Sequence, residues 1–209
     1  MARGRFISLE GGEGAGKSTQ LSALGAALEG RGLSVVVTRE PGGSPGAEAI
    51  RRLLLEGEEA RWSPRAEALL FAAARADHID KTIRPAIERG QWVLSDRFLD
   101  SSLAYQGEAG GLGIDAVRDL HRFGSEDYLP DRTLVLTLDE AEGAARARSR
   151  DGNVGDRIGS RPPSYHAAVE AGFRTMAQRE PERVKLIDAS GPAATVTARL
   201  LYALGDLLP

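Results

Sequence analysis

The chain has 209 residues, 42% of them hydrophobic, which fits one globular domain large enough to bury a continuous core. Its formal net charge of -3 and sequence pI near 5.7 argue against the broad basic surface that non-specific nucleic-acid binding requires. It contains no cysteine, which excludes disulfides, thiolate zinc sites and thiol catalysis. The N-terminus lacks an apolar core of signal-peptide length, and no apolar run approaches the roughly 20 residues that span a bilayer, so no membrane partner and a cytoplasmic location are expected.

In chain order, the apolar runs 5–10 (RFISLE), 33–39 (LSVVVTR), 91–96 (QWVLSD), 132–138 (RTLVLTL) and 183–188 (RVKLID) read as buried strands. Between them, 17–30, 64–89, 140–150 and 164–180 carry Ala, Leu, Glu and Arg at helical spacing, and Gly30-Arg31-Gly32 and Arg89-Gly90 supply stops. Parallel strands joined by helical crossovers predict an α/β sheet layered with helices. Val196, Leu200, Ala203, Leu204 and Leu207 form one stripe, predicting a last helix that closes a face of the sheet. From 146 to 163 the chain is rich in Arg and Gly and poor in apolar residues, so a mobile excursion is expected there.

Directly after the first strand, Gly11-Gly12-Glu13-Gly14-Ala15-Gly16-Lys17-Ser18 satisfies G-x-x-x-x-G-K-[ST] between a strand and a helix. The glycines let successive backbone N–H groups turn inward on phosphate oxygens, and the following helix adds its positive end. Lys17 reaches the β- and γ-phosphates, the Ser18 hydroxyl suits Mg²⁺, and Thr19 follows in the same turn, so ATP or GTP with Mg²⁺ is expected.

The loop alone leaves the reaction open. With LEGGEGAGKSTQ (9–20), TREPGG (38–43), LLFAAAR (69–75) and SDRFLDSSLAYQG (95–107) in this order, the chain resembles the thymidylate kinases, nucleoside monophosphate kinases of the P-loop NTPase fold. The resemblance implies a central parallel five-stranded sheet flanked by helices, one kinase domain over 1–209, ATP and dTMP as substrates, Mg²⁺ as cofactor, and a homodimer in which 64–89 or 114–123 line the interface. It also implies residue roles, each beside a plainer reading. Glu13 would hold the acceptor's 3′-hydroxyl, or be a solvated loop charge. Pro41 would line the site and Arg51 approach the acceptor phosphate, while Arg39 suits a site role or a structural ion pair. Phe71 and Arg75, four apart on a helix, would stack on the base and donate to its carbonyl; Phe71 alone also reads as core. Asp96 would organise the Mg²⁺ shell through water and Arg97 bridge the two phosphates, or the two would form a buried structural pair. Ser102, Tyr105 and Gln106 would complete the acceptor side, with Tyr105 packed where a ribose 2′-hydroxyl projects.

Residues 146–163 resemble the family's lid. Because Gly14 stands where some members carry a P-loop arginine, Arg146, Arg148, Arg150 and Arg157 are the candidates for meeting ATP and the transferring phosphoryl, with Arg146 on the ATP side and Arg148 and Arg150 catalytic. The chain departs from the pattern at Gly159, where an acidic residue is common. The loop 189–192 (ASGP) would flank the adenine. His78, His121 and His166 stand in no nucleophile or ligand constellation and read as helix-face residues; Trp62 and Trp92 read as packing. Two rivals remain: a regulatory GTPase, which would be expected to carry the N-K-x-D motif that is missing here, and a uridylate or guanylate kinase, against which the 71–75 and 101–106 segments weigh.

Overall fold

The computed structural model describes residues 3–139 and 157–209. The helix expected over 140–150, together with Arg146, Arg148 and Arg150, lies outside them. Five strands form one sheet: β1 (Phe6–Gly11), β2 (Val35–Arg39), β3 (Trp92–Asp96), β4 (Arg132–Thr137) and β5 (Val184–Asp188), in the order β2-β3-β1-β4-β5. Every neighbouring pair is parallel, as the long crossovers require. All five lie within one or two residues of the apolar runs.

Alternation along the strands sorts the core onto two faces. Ile7, Leu9, Leu94, Leu134 and Leu136 meet Leu21, Leu24 and Leu28 of α1 (Lys17–Glu29), and Val196 and Leu200 of the C-terminal helix Ala193–Ala203, where the predicted stripe lies. Phe6, Val93, Val135 and Val184 face the opposite layer. There Phe6 packs edge-on against Phe98 at 4.8 Å, and Val169, Phe173 and Met176 of the helix Pro163–Arg179 close over them. Truncating a fully buried residue such as Phe6 or Leu24 costs about 2–5 kcal/mol.

A helix that the spacing did not predict, α2 (Pro45–Leu55), begins with Ser44 accepting from the Ala47 N–H and with proline in its first turn. The same Ser-Pro-x-x-Glu start opens α3 (Pro64–His78). The segment 64–89 is helical as far as Glu88, with a π-helical turn, Ile79–Ile83, between α3 and α4 (Arg84–Glu88). Pro85 has no N–H to continue the α-helical ladder, which suits the wider turn before it. After β3 come α5 (Leu99–Ser102), a π-helical stretch Leu103–Ala109, and α6 (Ile114–Ser125). Among the described residues the helices already given follow, as α7 (Pro163–Arg179) and α8 (Ala193–Ala203). Among the described residues no helix is long and apolar enough to cross a membrane.

The register pairs Leu9 with Asp96 on one side and Gly11 with Leu136 on the other, so the ends of β1, β3 and β4 stand side by side. The chain passes from β3 across β1 to β4. Strand order therefore switches at the carboxyl end of β1, where open α/β sheets form their ligand crevice.

Candidate active site

The P-loop leaves β1 through Gly11, at φ 130°, where any Cβ would collide with the Leu136 carbonyl. Gly14 and Gly16 are also left-handed, and Gly16 caps α1, with Lys17, Ser18 and Thr19 in the first turn. The turn thus aims backbone N–H groups and the helix's positive end at the crevice. Lys17 Nζ donates to the Gly11 and Gly12 carbonyls at 3.0 and 2.7 Å. Burial of its ammonium, helped by the nearby Arg97 charge, pushes it down to about 7, against the opposite pull of Asp96, Glu10 and Glu13. Two cations held this close favour a polyanionic ligand.

Beside the loop lies a cavity of about 600 Å³ of empty space, partly open to solvent. Glu13, Pro41, Arg51, Phe71 and Arg75 line it, and so do Arg97, Ser102, Tyr105 and Gln106. Every residue that the sequence assigned to the acceptor thus reaches one space, from five separate stretches of chain. A second groove, about 1110 Å³ of empty space, runs along Gly11, Gly12 and Ala15 and meets the first at Glu13 and Tyr105.

Phe71 is half-buried, packing its ring on the core, which is the plainer reading of it, while also lining the cavity. Arg75 is only 3% exposed: Nε donates to Glu40 at 2.8 Å, and Nη2 to the Phe98 carbonyl and Ser102 Oγ at 3.2 and 2.7 Å. These bonds fix the guanidinium plane and leave Nη1 for the cavity. Glu40 is itself held by His78, whose other ring nitrogen meets Thr38 at 2.7 Å. Burial would raise the Glu40 carboxyl, but Arg75 and His78 together hold it below the usual carboxylate range. His78 and His121 lie on helices as expected; both are buried, and His78 is a linker between Glu40 and Thr38. The Tyr105 hydroxyl, at the seam, is buried without a hydrogen-bond partner among the described residues, and its ring lies 5.1 Å from the Arg97 guanidinium.

Arg51 donates to the Pro41 carbonyl at 2.6 Å, bracing the cavity wall. Arg39 pairs with Glu48 on the surface, which is the structural reading of that residue. Asp96 ends β3 half-buried, close enough to Lys17 and Arg97 for its charge to favour the protonated form of each. Among the described residues no group of three or more acidic, histidine or cysteine side chains could hold a metal. Ser18 and Asp96 are hard oxygen donors, the kind that suits an ion keeping most of its water and taking its other oxygens from phosphates. They fit Mg²⁺ on those terms.

The end of the expected lid departs from prediction. Arg157 and Ile158 are buried, 4% and 9% exposed, where solvated chain was expected. Arg157 donates to Glu67 at 2.6 Å and to the Leu54 carbonyl at 2.9 Å, so it anchors the segment's root instead of reaching for phosphate from solvent. Arg161 and Gln106 also donate to Glu67. Arg161 in addition meets Tyr165, whose hydroxyl reaches the Tyr105 carbonyl at 2.6 Å. Gly159, at the departing position, lies against the Glu13 carboxylate, which a Cβ there would push aside.

Sequence reasoning missed Glu10, Glu40 and Glu67. Each is a carboxylate buried beside the site; for Glu10 and Glu67 the visible signal was an acidic residue beside apolar ones, whereas Glu40, between Arg39 and Pro41, carried none.

Comparison with known proteins agrees with this geometry. The family model described as thymidylate kinase matches residues 9–200. A thymidylate kinase of Rhizorhabdus wittichii is 61% identical over 99% of both chains. One from Afipia carboxidovorans is 47% identical over 95% of this chain and 87% of its own. The crystal structure of thymidylate kinase from Ehrlichia chaffeensis superposes with a TM-score of 0.75 at 30% identity, covering 97% of this chain and 99% of that one. With the family model and the relatives matching nearly the whole length, and the P-loop beside a cavity in place, the chain belongs to the thymidylate kinase family.

Proposed function

We propose that the cavity between α3 and Arg97 binds dTMP and that the P-loop groove presents ATP to it, so that the γ-phosphoryl passes across the seam at Glu13 and Tyr105. Family membership makes the chain an ATP-dependent nucleoside monophosphate kinase, supplying dTDP for dTTP synthesis. The observation that carries the residue assignments is the convergence of all nine acceptor-side residues on one cavity that opens onto the P-loop groove.

In this reading Phe71 stacks on thymine and Arg75 Nη1 donates to a ring carbonyl. Arg51 and Arg97 face the acceptor phosphate, and Glu13 takes the 3′-hydroxyl. An acceptor phosphate oxygen attacks the γ-phosphorus, the bond to the ADP oxygen breaks, and ADP leaves. The acceptor's second pKa is about 6, so the nucleophile is already ionised and no general base is required. Lys17, Arg97 and the N-terminus of α1 stabilise charge on the moving group. Ser18 would hold Mg²⁺ and Asp96 its water shell; when bound, the ion screens the phosphate oxygens. Arg146, Arg148 and Arg150, outside the described residues, are proposed to close over ATP, because Gly14 leaves the P-loop without an arginine. A second copy of the chain is proposed to cover α3 and α6, which pack together at Gly124 and Ala76 and expose Leu69 (55%) and Phe123 (93%).

The test is ADP formation with ATP-Mg²⁺ and a panel of acceptors. One buried methyl discriminates by about 10- to 200-fold, so dTMP should lead and dUMP follow. For dCMP, an amino group facing Arg75 leaves donors unpaired, which places it lower still. Equal or better use of UMP or dGMP would overturn the assignment.

A further inference from the structure

Glu10 lies in β1, the central strand, with no exposed surface. Its carboxylate accepts from Ser8 Oγ at 2.7 Å, from the Phe98 N–H at 2.7 Å and from Ser101 Oγ at 2.5 Å. Of the last two partners, the Phe98 amide follows Arg97 in the chain and Ser101 meets its guanidinium. Ser101, donating its proton to Glu10, turns a lone pair to Arg97 Nη1 at 3.0 Å. Arg97 itself sits at φ 70°, a left-handed conformation that costs a non-glycine residue on the order of 1–3 kcal/mol and persists only when neighbours fix it. The neighbours are three consecutive residues of β1. The Leu9 carbonyl takes the Arg97 N–H at 2.9 Å, Glu10 takes the next amide and Ser101, and the Gly11 carbonyl takes Nη1 at 3.2 Å. From β3, Ser95 Oγ donates to the Arg97 carbonyl at 2.7 Å.

A carboxylate is a costly way to fill a strand. Burial, with the charge of Asp100 added, pushes Glu10 up to about 7, despite its bonds to Ser101 and Ser8 and the nearby Arg97. An apolar side chain would avoid that cost but could not take the Phe98 amide and the Ser101 proton. We propose that Glu10 is a positioning residue for phosphoryl transfer: through the Phe98 amide and Ser101 it holds the left-handed turn at Arg97 and aims the guanidinium across the seam between the two cavities. This rests on the reading of Arg97 given above.

Glu10→Gln keeps the shape and the Phe98 bond. Its amide, however, donates to Ser101 and competes with Arg97 for the same oxygen. Turnover at saturating ATP and dTMP should fall about 10- to 100-fold, with KM for dTMP changed less than about threefold, the pattern of an interaction made chiefly in the transition state. Ser101→Ala, which cuts the link while leaving Glu10 in place, should also lower kcat. The double variant should be no slower than the worse single variant by more than about twofold, because both lie on one path. Thermal melts at the assay pH show whether the variants are folded. Wild-type turnover in folded Glu10→Gln, or multiplicative losses in the double variant, would overturn the proposal. If Glu10→Gln does not fold, wild-type turnover in Ser101→Ala alone does so. Arg97→Ala separates the two levels: wild-type turnover there refutes the reading of Arg97, whereas a slow Arg97→Ala beside a normal Glu10→Gln refutes only the role of Glu10.

Discussion

Replacing Arg75 with lysine tests base recognition with the least disturbance to the fold. The guanidinium donates Nε to Glu40 and Nη2 to the Phe98 carbonyl and Ser102, which leaves Nη1 for the base. Lysine keeps the charge that Glu40 requires, but it has one nitrogen and cannot satisfy a buried carboxylate and a base carbonyl from the same point. The Glu40 carboxylate, 4% exposed, is the stronger attractor and should win. The base then loses a charge-assisted hydrogen bond worth about 1.5–3 kcal/mol, which corresponds to about a 10- to 150-fold fall in kcat/KM for dTMP. Cytosine loses nothing comparable, because its amino group was opposed to Nη1 in the parent. The dTMP to dCMP ratio should therefore collapse by about the same factor while the melting temperature falls only a few degrees. The assay is kcat/KM for both nucleotides in parent and Arg75→Lys, with circular dichroism melts. An unchanged ratio in a folded variant would refute the assignment of Arg75 to the base.

Three further outcomes are expected. Lys17→Met should lose about 10²–10³-fold in turnover while remaining folded, because it removes one preorganised cation; near-normal activity in the ADP assay would dissociate the P-loop from ATP. Glu67→Ala leaves buried Arg157 and half-buried Arg161 without their carboxylate and should cost about 3–5 kcal/mol in urea unfolding, whereas a loss below about 1 kcal/mol would mean the cluster is not a stabilising anchor. Burial and the Arg75 charge push His121 down to about 4, against the Tyr128 carbonyl, Glu40 and Asp127. Its folded pKa thus lies below the unfolded value, so its contribution is present above about pH 6.5 and is lost as pH falls through 4. That amounts to about 3 kcal/mol. His121→Gln should flatten the melting temperature between pH 7 and 4.5, and an unchanged acid slope would contradict this.

What the sequence made legible follows from where the physics is local. The strands were readable because both faces of a parallel sheet are covered, so they are written as continuous apolar runs. The P-loop was readable because its glycines and its lysine are required at fixed spacing. The helix α2 was not read, although Ser44-Pro45 carries the same start signal as Ser63-Pro64; its apolar face, Ala47, Ile50, Leu53 and Leu54, is short and follows the glycine-rich stretch 42–46. The π-helical turn at Ile79–Ile83 belongs to no side-chain period and shows only after the chain is packed. The acceptor residues came from motif resemblance, but the carboxylates that hold them did not. Glu40 meets Arg75 35 residues away, Glu10 meets the Phe98 amide 88 away, and Glu67 meets Arg157 90 away, so nothing in the neighbourhood of each carboxylate announces its partner. Arg157 misled for the same reason: in an Arg-rich stretch it looked solvated, and only the fold brings a buried carboxylate to it.

The most direct test of the account is a crystal structure of the chain with dTMP and a non-hydrolysable ATP analogue. The account predicts thymine stacked on Phe71 with a ring carbonyl within about 3 Å of Arg75 Nη1. It also predicts the acceptor phosphate between Arg51 and Arg97, and the triphosphate cradled by residues 11–18. Thymidylate bound elsewhere, or bound in this cavity with its base turned away from Phe71 and Arg75, would contradict it.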